Sequence, residues 1–128
     1  MYLYIIISIS VLLSLIQISY IYAQLESPKI LSVLDENNKK IINNSITKSK
    51  SISFNFHKSN NTFHSFTSCS LDQNKPYKFC ESPIRFNNLD QGYHTFELMN
   101  VFFVDINPNG TVSSAMFSNP ITFNWNVK

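Results

Sequence analysis

From residue 50 onward, apolar and polar side chains alternate along the chain, and this alternation is the strongest constraint on its fold. Ile52, Phe54 and Phe56 alternate with serine, asparagine and histidine, and Ile121–Val127 repeats the pattern at the C-terminus. A period of two is typical of a β-strand with one buried face. No stretch after residue 24 shows a 3.6-residue period, which argues against a helical domain. The sequence therefore predicts an all-β protein.

Seven strands are expected, separated by turns rich in Asn, Asp, Gly and Pro. The longest, His94–Val104, is apolar on both faces in its second half, which indicates a central strand or one covered by another chain. Strands of this number and length predict an antiparallel β-sandwich over about residues 27–128. The polar segment Asp35–Lys50 is expected to be a loose connection. The other six predicted strands are Ile30–Leu34, Ile52–Phe56, Phe66–Leu71, Tyr77–Phe79, Ile84–Phe86 and Ile121–Val127.

The size and charge of the chain limit its organisation and partners. Its 128 residues suffice for one domain, which we divide into residues 1–23, a first strand and polar connection over 24–50, and the main sandwich over 51–128. The net charge of +2 is spread along the chain, which argues against a nucleic-acid partner. With two glycines in total, the chain lacks the glycine-rich loop of a phosphate or dinucleotide site.

The N-terminal segment differs from the rest because residues 1–25 carry no charged side chain. An apolar stretch of 19 residues ends at Ile21, and Ala23 offers a small-residue cleavage site. The same stretch is long enough to span a bilayer at about 1.5 Å per residue. Three alternatives remain for residues 1–23: a cleaved export signal, which we expect, an uncleaved membrane anchor, or a buried core helix. The first two place residues 24–128 in a secreted or cell-surface location.

The two cysteines of the chain, Cys69 and Cys80, flank a turn-rich segment. If this segment folds back symmetrically about Asn74 and Lys75, the cysteines face each other across an antiparallel pair and can form a disulfide. Two buried free thiols, or a zinc site with two further ligands, are the alternatives. A structural disulfide requires an oxidising compartment, which agrees with export. The side chains expected to cover the bridge are Phe66, Leu71 and Phe79.

Four strings in this half of the chain resemble a known repeat. They are Phe66–Asp72, Phe79–Ile84, Gly92–Phe96 and Phe123–Val127. They are similar to the prokaryotic Ig-like repeat of secreted and cell-surface proteins, which reads F-x-C-S-L-D-G, C-x-S-P, G-x-H-T-F and W-x-V. The resemblance covers about residues 50–128. It implies an Ig-like or fibronectin-III-like sandwich whose disulfide pins one hairpin, with a spacer or adhesion role and no catalysis. In this chain Gln73 and Asn74 stand where the repeat has its turn glycine.

One loop matches the first half of a calcium-binding motif. Asp105, Asn107, Asn109 and Gly110 fit D-x-N-x-N-G, in which side-chain oxygens converge on the ion and the glycine allows a sharp turn. The position that should supply a bidentate glutamate is Met116, and no helix is predicted after the loop. The alternative is an ordinary Asn- and Gly-rich hairpin loop, so we expect no metal ion here.

The histidines do not form a recognised catalytic motif. His57, His64 and His94 occur without a G-x-S-x-G elbow or an H-E-x-x-H pair. His94 is expected to lie at the start of a strand, and the other two are expected to be solvated. We therefore expect neither catalysis nor a cofactor.

Two further features concern modification and binding. Asn43, Asn60 and Asn109 begin N-x-S/T sequons in predicted loops, where an exported chain can carry glycans. The chain also has more aromatic residues than one small core needs. They either fill the core and pack over the hairpin, or form an exposed patch that binds a protein or a glycan. The residues concerned are Phe63, Phe66, Tyr77, Phe79, Phe103 and Phe117.

Two functional hypotheses follow from the sequence. The first is an exported, non-enzymatic Ig-like module with a structural or adhesion role at the cell envelope, contacting a protein or a glycan. It would meet the membrane only through residues 1–23, if these are not cleaved. The second is a small secreted enzyme or a calcium-dependent module that uses the loop over residues 105–110.

Overall fold

The chain is described by a computed structural model that covers residues 8–17, 26–57, 65–74 and 78–128, with the backbone alone for residues 104–106 and 112. Across these ranges it forms nine strands and one short helix, so the prediction of a mainly β protein is confirmed. The strands are β1 (Lys29–Asp35), β2 (Ser45–Thr47), β3 (Ile52–His57), β4 (Ser65–Leu71), β5 (Lys78–Phe79), β6 (Ile84–Phe86), β7 (Gly92–Ile106), β8 (Val112–Phe117) and β9 (Ile121–Val127).

The strands form two sheets. The smaller sheet is antiparallel, in the order β1-β3-β6. The larger has the order β2-β9-β7-β4-β5, and β8 also pairs with β7. β7, at 15 residues, pairs with β4 along one edge and with β9 and then β8 along the other. The long apolar strand predicted from the sequence is therefore central in its sheet.

The core lies between the two sheets and centres on Phe54 of β3, which is fully buried. The ring of Phe54 stacks on Phe96 of β7 with centroids 4.1 Å apart, and it meets Phe123 and Trp125 of β9 at 5.4 and 5.6 Å. Aromatic pairs at these separations add to the free energy gained by burying their surface. The two sheets thus share one continuous core, as in a β-sandwich.

The structure adds two strands that the alternation did not predict. β2 lies inside the segment expected to be a loose connection and pairs in parallel with Trp125–Val127. β8 has no alternating pattern and forms because the second half of β7 offers it a backbone partner. Ile41 of the same segment is buried in the core, whereas Ile42 and Ile46 are exposed. Tyr77, expected in the strand Tyr77–Phe79, lies outside the described residues.

The N-terminal segment is described only over residues 8–17, which form an exposed helix. At 1.5 Å per residue this helix is about 15 Å long. Within the described parts of the chain, no helix has both the length and the apolar character needed to cross a bilayer. The cleavage site proposed at Ala23 falls among residues that the structure does not describe, so the alternatives for residues 1–23 and the boundaries at 24 and 51 stay predictions.

The cysteines are bonded, but the predicted hairpin register is wrong. Cys69 pairs with Lys78, and the backbone N–H of Cys80 donates to the Thr67 carbonyl, so the bridge runs diagonally between neighbours on one face. Their Cα atoms are 6.1 Å apart, within the range for disulfides. The register shifts because the chain reverses at Asp72 and Gln73, which have φ of 53° and 56°. Asn74 N–H donates to the Leu71 carbonyl across this turn.

The expected cover over the bridge is also wrong for two of its three side chains. Leu71 packs against the core, on the face of the sheet that carries the cysteines. Phe66 and Phe79 lie on the opposite face, because side chains alternate along a strand: Phe66 is three residues from Cys69, and Phe79 is next to Cys80. The predicted register would have placed them on this face as well, so it is the alternation, and not the shift in register, that keeps these two phenylalanines away from the bridge.

We expect replacement of both cysteines by serine to lower the free energy of unfolding by about 2–3 kcal/mol, because the bridge closes a short loop in the unfolded chain. In a domain of this size, the loss corresponds to a fall of roughly 10–20 °C in melting temperature. The double mutant should still fold at room temperature, since the bridge lies within one hairpin and does not join the two sheets. Thermal melting of residues 24–128 measures the effect.

The control for this prediction is chemical reduction of the unmutated domain, which should give the same fall in melting temperature. The serine double mutant should not respond to the reductant. Free thiols at both positions, found by non-reducing peptide mapping of protein made in an oxidising compartment, would contradict the bridge.

Candidate functional site

The outer face of the larger sheet carries a cluster of phenylalanines that we call the aromatic face: Phe66, Phe79, Phe103 and Phe117. The ring of Phe66 lies 5.2 Å from that of Phe79 and 5.1 Å from that of Phe103. Phe117 of β8 is on the same face, because Val101 of β7 pairs with Phe66 on one side and with Phe117 on the other. The side chains of Phe66, Phe79 and Phe117 are 44%, 67% and 62% exposed.

The aromatic face has the size of the largest apolar patch on a typical soluble protein. With the usual surface of 150–250 Å² per aromatic side chain, its three exposed rings present about 300–400 Å² to solvent. Contiguous apolar patches of this size on soluble proteins are often functional. Of the two interpretations of the surplus aromatics, the structure places these residues in an exposed patch. Phe63 and Tyr77 lie outside the described residues.

Polar side chains border the aromatic face along the same side of the sheet. The register of β7 and β9 brings Thr95 opposite Asn124 and Glu97 opposite Thr122. Thr95 Oγ1 donates to Asn124 Oδ1 at 2.9 Å. The outer surface is therefore apolar towards β4, β5 and β8 and polar towards β9. Protein-binding surfaces commonly combine an apolar centre with polar surroundings, and here the polar side chains lie on the β9 side.

A groove continues the aromatic face around the edge of the sheet. It encloses about 610 Å³ beside Phe66 and Phe79, and its other wall is formed by Phe56, His57 and Glu81. His57 is exposed, as expected, and His64 lies outside the described residues. The groove adds hydrogen-bonding and ionisable groups to one side of the apolar patch.

His94 is buried at the edge of the core, with polar partners on both ring nitrogens. Nδ1 lies 2.8 Å from Asp72 Oδ2, and Nε2 lies 2.8 Å from the backbone carbonyl of Asp90. The ring also stacks on the indole of Trp125, with centroids 5.4 Å apart. Asp72 in turn accepts a hydrogen bond from the backbone N–H of Thr95 through Oδ1. These contacts hold the turn after β4 against the start of β7.

The partners of His94 favour its charged form. A carboxylate and a carbonyl can only accept hydrogen bonds, so both ring nitrogens must carry a proton for both bonds to form. Burial lowers the pKa of His94, but the hydrogen bonds to Asp90 and Asp72 and their negative charges outweigh it. The pKa of His94 is therefore raised above 6.5. An indole face beneath a cation adds to this preference.

The loop that resembles a calcium site is closed by its own hydrogen bonds. Asn109 Oδ1 accepts from the N–H and the hydroxyl of Thr111, and Asn107 Nδ2 donates to the same hydroxyl. The side chain of Asp105 is not described. In the parts of the chain that the structure covers, no three His, Cys, Asp or Glu side chains come close enough together to hold a metal ion.

The three sequons differ in their surroundings. Asn43 is exposed but bonded to β9, where its Oδ1 accepts from the Asn124 N–H. Asn109 lies at the tip of the β7–β8 hairpin. Asn60 lies outside the described residues.

Sequence reasoning missed the ion pair between Asp72 and His94. It placed His94 near a strand start, where the structure has it, but gave it no partner. Two strings of the proposed repeat, C-S-L-D and G-x-H-T-F, contain these two residues. The presence of both strings in one chain is the sequence signal that could have indicated the contact between Asp72 and His94.

We expect the stability of the domain to fall as pH rises through the folded-state pKa of His94. A raised pKa means that folding strengthens proton binding, so the stabilisation is complete below about pH 6.5 and is lost above the folded value. His94→Gln should reduce the dependence of stability on pH in this range. Asp72→Asn should move the loss of stability to lower pH, because it removes the carboxylate that stabilises protonated His94. Thermal melts from pH 5 to 9 measure both effects.

The control for loss of a histidine is His57→Gln, at an exposed position of β3. It should retain the wild-type slope between pH 6 and 9. If His94→Gln retains that slope as well, the ion pair does not carry the pH dependence.

Comparisons with known proteins return no relative of this chain. No protein family, no curated protein and no solved structure matches it. The aromatic face, its groove and the ion pair of His94 are therefore the observations from which a function can be inferred.

Proposed function

We propose that this chain is an exported, non-enzymatic binding module of the Ig-like or fibronectin-III-like class, which contacts a protein or a glycan at the cell envelope. The aromatic face is the observation that carries the proposal. Its three exposed phenylalanines lie on a regular sheet whose other face already supplies a complete core. Folding alone does not require them, whereas a partner that covers them gains about 25 cal/mol for each Å² of apolar surface buried.

The position of the aromatic face suits contact with a large partner. It lies on paired strands, so its side chains are held in place before binding and lose little conformational freedom on binding. Val101 is buried beneath the rings and gives the patch a packed base. The groove beside Phe66 and Phe79 offers polar groups that can orient the partner.

The Ig-like class is supported by the two-sheet fold and by the cysteine-bonded hairpin. The motifs of the resemblance also meet in space, since Asp72 of C-S-L-D binds His94 of G-x-H-T-F at 2.8 Å. Trp125, from the final W-x-V string, stacks on the same histidine. Motifs far apart in the sequence thus build one local structure, as expected of the defining residues of a fold.

Export is supported by two independent features. Residues 1–25 carry no charge and contain the apolar stretch of a signal or an anchor. The cysteine pair is positioned to form a disulfide, a bond that persists in oxidising compartments.

The competing hypothesis, a calcium-dependent module or an enzyme that uses residues 105–110, makes a different prediction. A ligand at 100 times its dissociation constant stabilises a protein by about 2.7 kcal/mol. We expect millimolar calcium to leave the melting temperature unchanged, because Asn109 Oδ1 already accepts two hydrogen bonds within its turn. A rise of several degrees that chelator reverses would favour the competing hypothesis.

We expect Phe79→Ser and Phe117→Ser to weaken binding of residues 24–128 to isolated cell envelopes by at least tenfold, about 1.4 kcal/mol. The matched control is Leu31→Ser, because Leu31 is 66% exposed and Phe79 is 67% exposed, but Leu31 lies on the smaller sheet. Sedimentation with intact envelopes and with their protein-free glycan fraction measures the affinity and identifies the class of partner.

The outcomes of this experiment are distinct. Equal loss in all three variants, or none in any of them, would contradict a contact through the aromatic face. Failure of the unmutated domain to bind either fraction would contradict a role at the envelope.

A further inference from the structure

The tip of the β7–β8 hairpin is a turn that forms from its own residues. Gly110 N–H donates to the Asn107 carbonyl at 2.9 Å, and Asn107 N–H donates to the Thr111 carbonyl at 2.7 Å. Pro108 follows Asn107, and Gly110 has a φ of 83°, as in a three-residue hairpin loop that ends in a left-handed glycine. Each of these bonds spans five residues or fewer. The turn can therefore form before the rest of the domain has folded.

Within this turn, the side chain of Asn109 is held in one orientation. Its Oδ1 accepts the Thr111 N–H at 3.1 Å and the Thr111 hydroxyl at 2.7 Å. Both of these bonds use Oδ1, so the hydrogen bonds to Thr111 leave Nδ2 unused. Asn109 is exposed, as are the residues on either side of it. The Asn-Gly-Thr sequon thus lies at an exposed hairpin tip, with its amide oxygen bonded to the hydroxyl of the same sequon.

The sequon of Asn43 has a different geometry. Asn43 Oδ1 accepts from the Asn124 N–H at 2.8 Å, 81 residues away in the chain. The N–H of Ser45, the third residue of the sequon, donates to the Ile42 carbonyl at 3.1 Å. The amide oxygen of Asn43 is therefore bonded to β9 rather than to the third residue of its own sequon.

We propose that Asn109 is an N-glycosylation site; this inference rests on the export that forms part of the proposed function. The donor is an oligosaccharide attached to a polyprenyl diphosphate. Asn109 Nδ2 forms a bond to the anomeric carbon of the first sugar, and the bond from that carbon to the diphosphate oxygen breaks. The polyprenyl diphosphate leaves with the bonding electrons, and the amide nitrogen gives up one proton. Nothing is oxidised or reduced.

A glycan at Asn109 is compatible with binding through the aromatic face. Asn109 lies six residues beyond Phe103, which at 3.3 Å per residue is at most about 20 Å. The glycan would therefore extend from the far end of the hairpin and leave Phe66 and Phe79 accessible. It would also lie beside β8, which occupies an edge of the larger sheet, where bulky polar groups oppose unwanted strand pairing.

The experiment is expression of the full chain in a glycosylating eukaryotic cell, with an Asn-Gly-Thr reporter sequon appended after Lys128. Amidase release in ¹⁸O-water converts each glycosylated Asn to labelled Asp, and peptide mass spectrometry then locates the sites. We expect the label at Asn109. Asn109→Gln and Thr111→Ala should each remove one glycan, whereas Thr111→Ser should retain it because serine keeps the hydroxyl.

The matched control is Asn43→Gln, which should leave the number of glycans unchanged. A labelled reporter with an unlabelled Asn109 would overturn the inference while leaving export intact. An unlabelled reporter would instead count against export, and the same chain behind a heterologous cleaved leader then decides the site: label at Asn109 supports the inference, and its absence overturns it.

Discussion

The stacking of Phe54 on Phe96 joins the two sheets, and the rest of the structure depends on it. Phe54 belongs to the smaller sheet and Phe96 to the central strand of the larger, and their ring centroids are 4.1 Å apart. Trp125 packs against Phe54 on one side of this contact and against His94 on another. The ion pair between buried His94 and exposed Asp72 therefore lies directly beside the aromatic core. Loss of core packing would expose the His94 ring to water, which weakens the pair.

The central strand β7 connects the core to the candidate binding surface. Its inner side chains, such as Phe96 and Leu98, are completely buried between the sheets. Its outer side chains, Val101 and Phe103, form part of the aromatic face. Because the side chains of a strand alternate between its faces, a rigid core on one side holds the outer phenylalanines at fixed spacing. Stability and partner binding thus use opposite faces of the same strand.

The alternation of apolar residues allowed most strands to be predicted, and it left the long strand β7 either central or covered by another chain. It did not allow the hairpin register to be predicted, because sequence symmetry put the turn at Asn74 and Lys75. The turn instead begins at Asp72, whose side chain is held by His94 and by the Thr95 N–H. Both contacts come from a strand more than 20 residues away. Contacts between residues so far apart in the chain cannot be inferred from the local sequence pattern of the hairpin.

The sequence by itself determined that the chain is mainly β and that its cysteines lie in one hairpin, and it left the long apolar strand either central or covered by another chain. These properties depend on local periodicity and on short separations along the chain. Only the tertiary structure decided which side chains of the hairpin meet across its strands, because the observed pairing differs by two residues from the symmetric one. It also decided that Asp72 meets His94 and that Phe66 and Phe79 lie in solvent. Those outcomes follow from the pairing between strands, which is set by the packing of the whole domain.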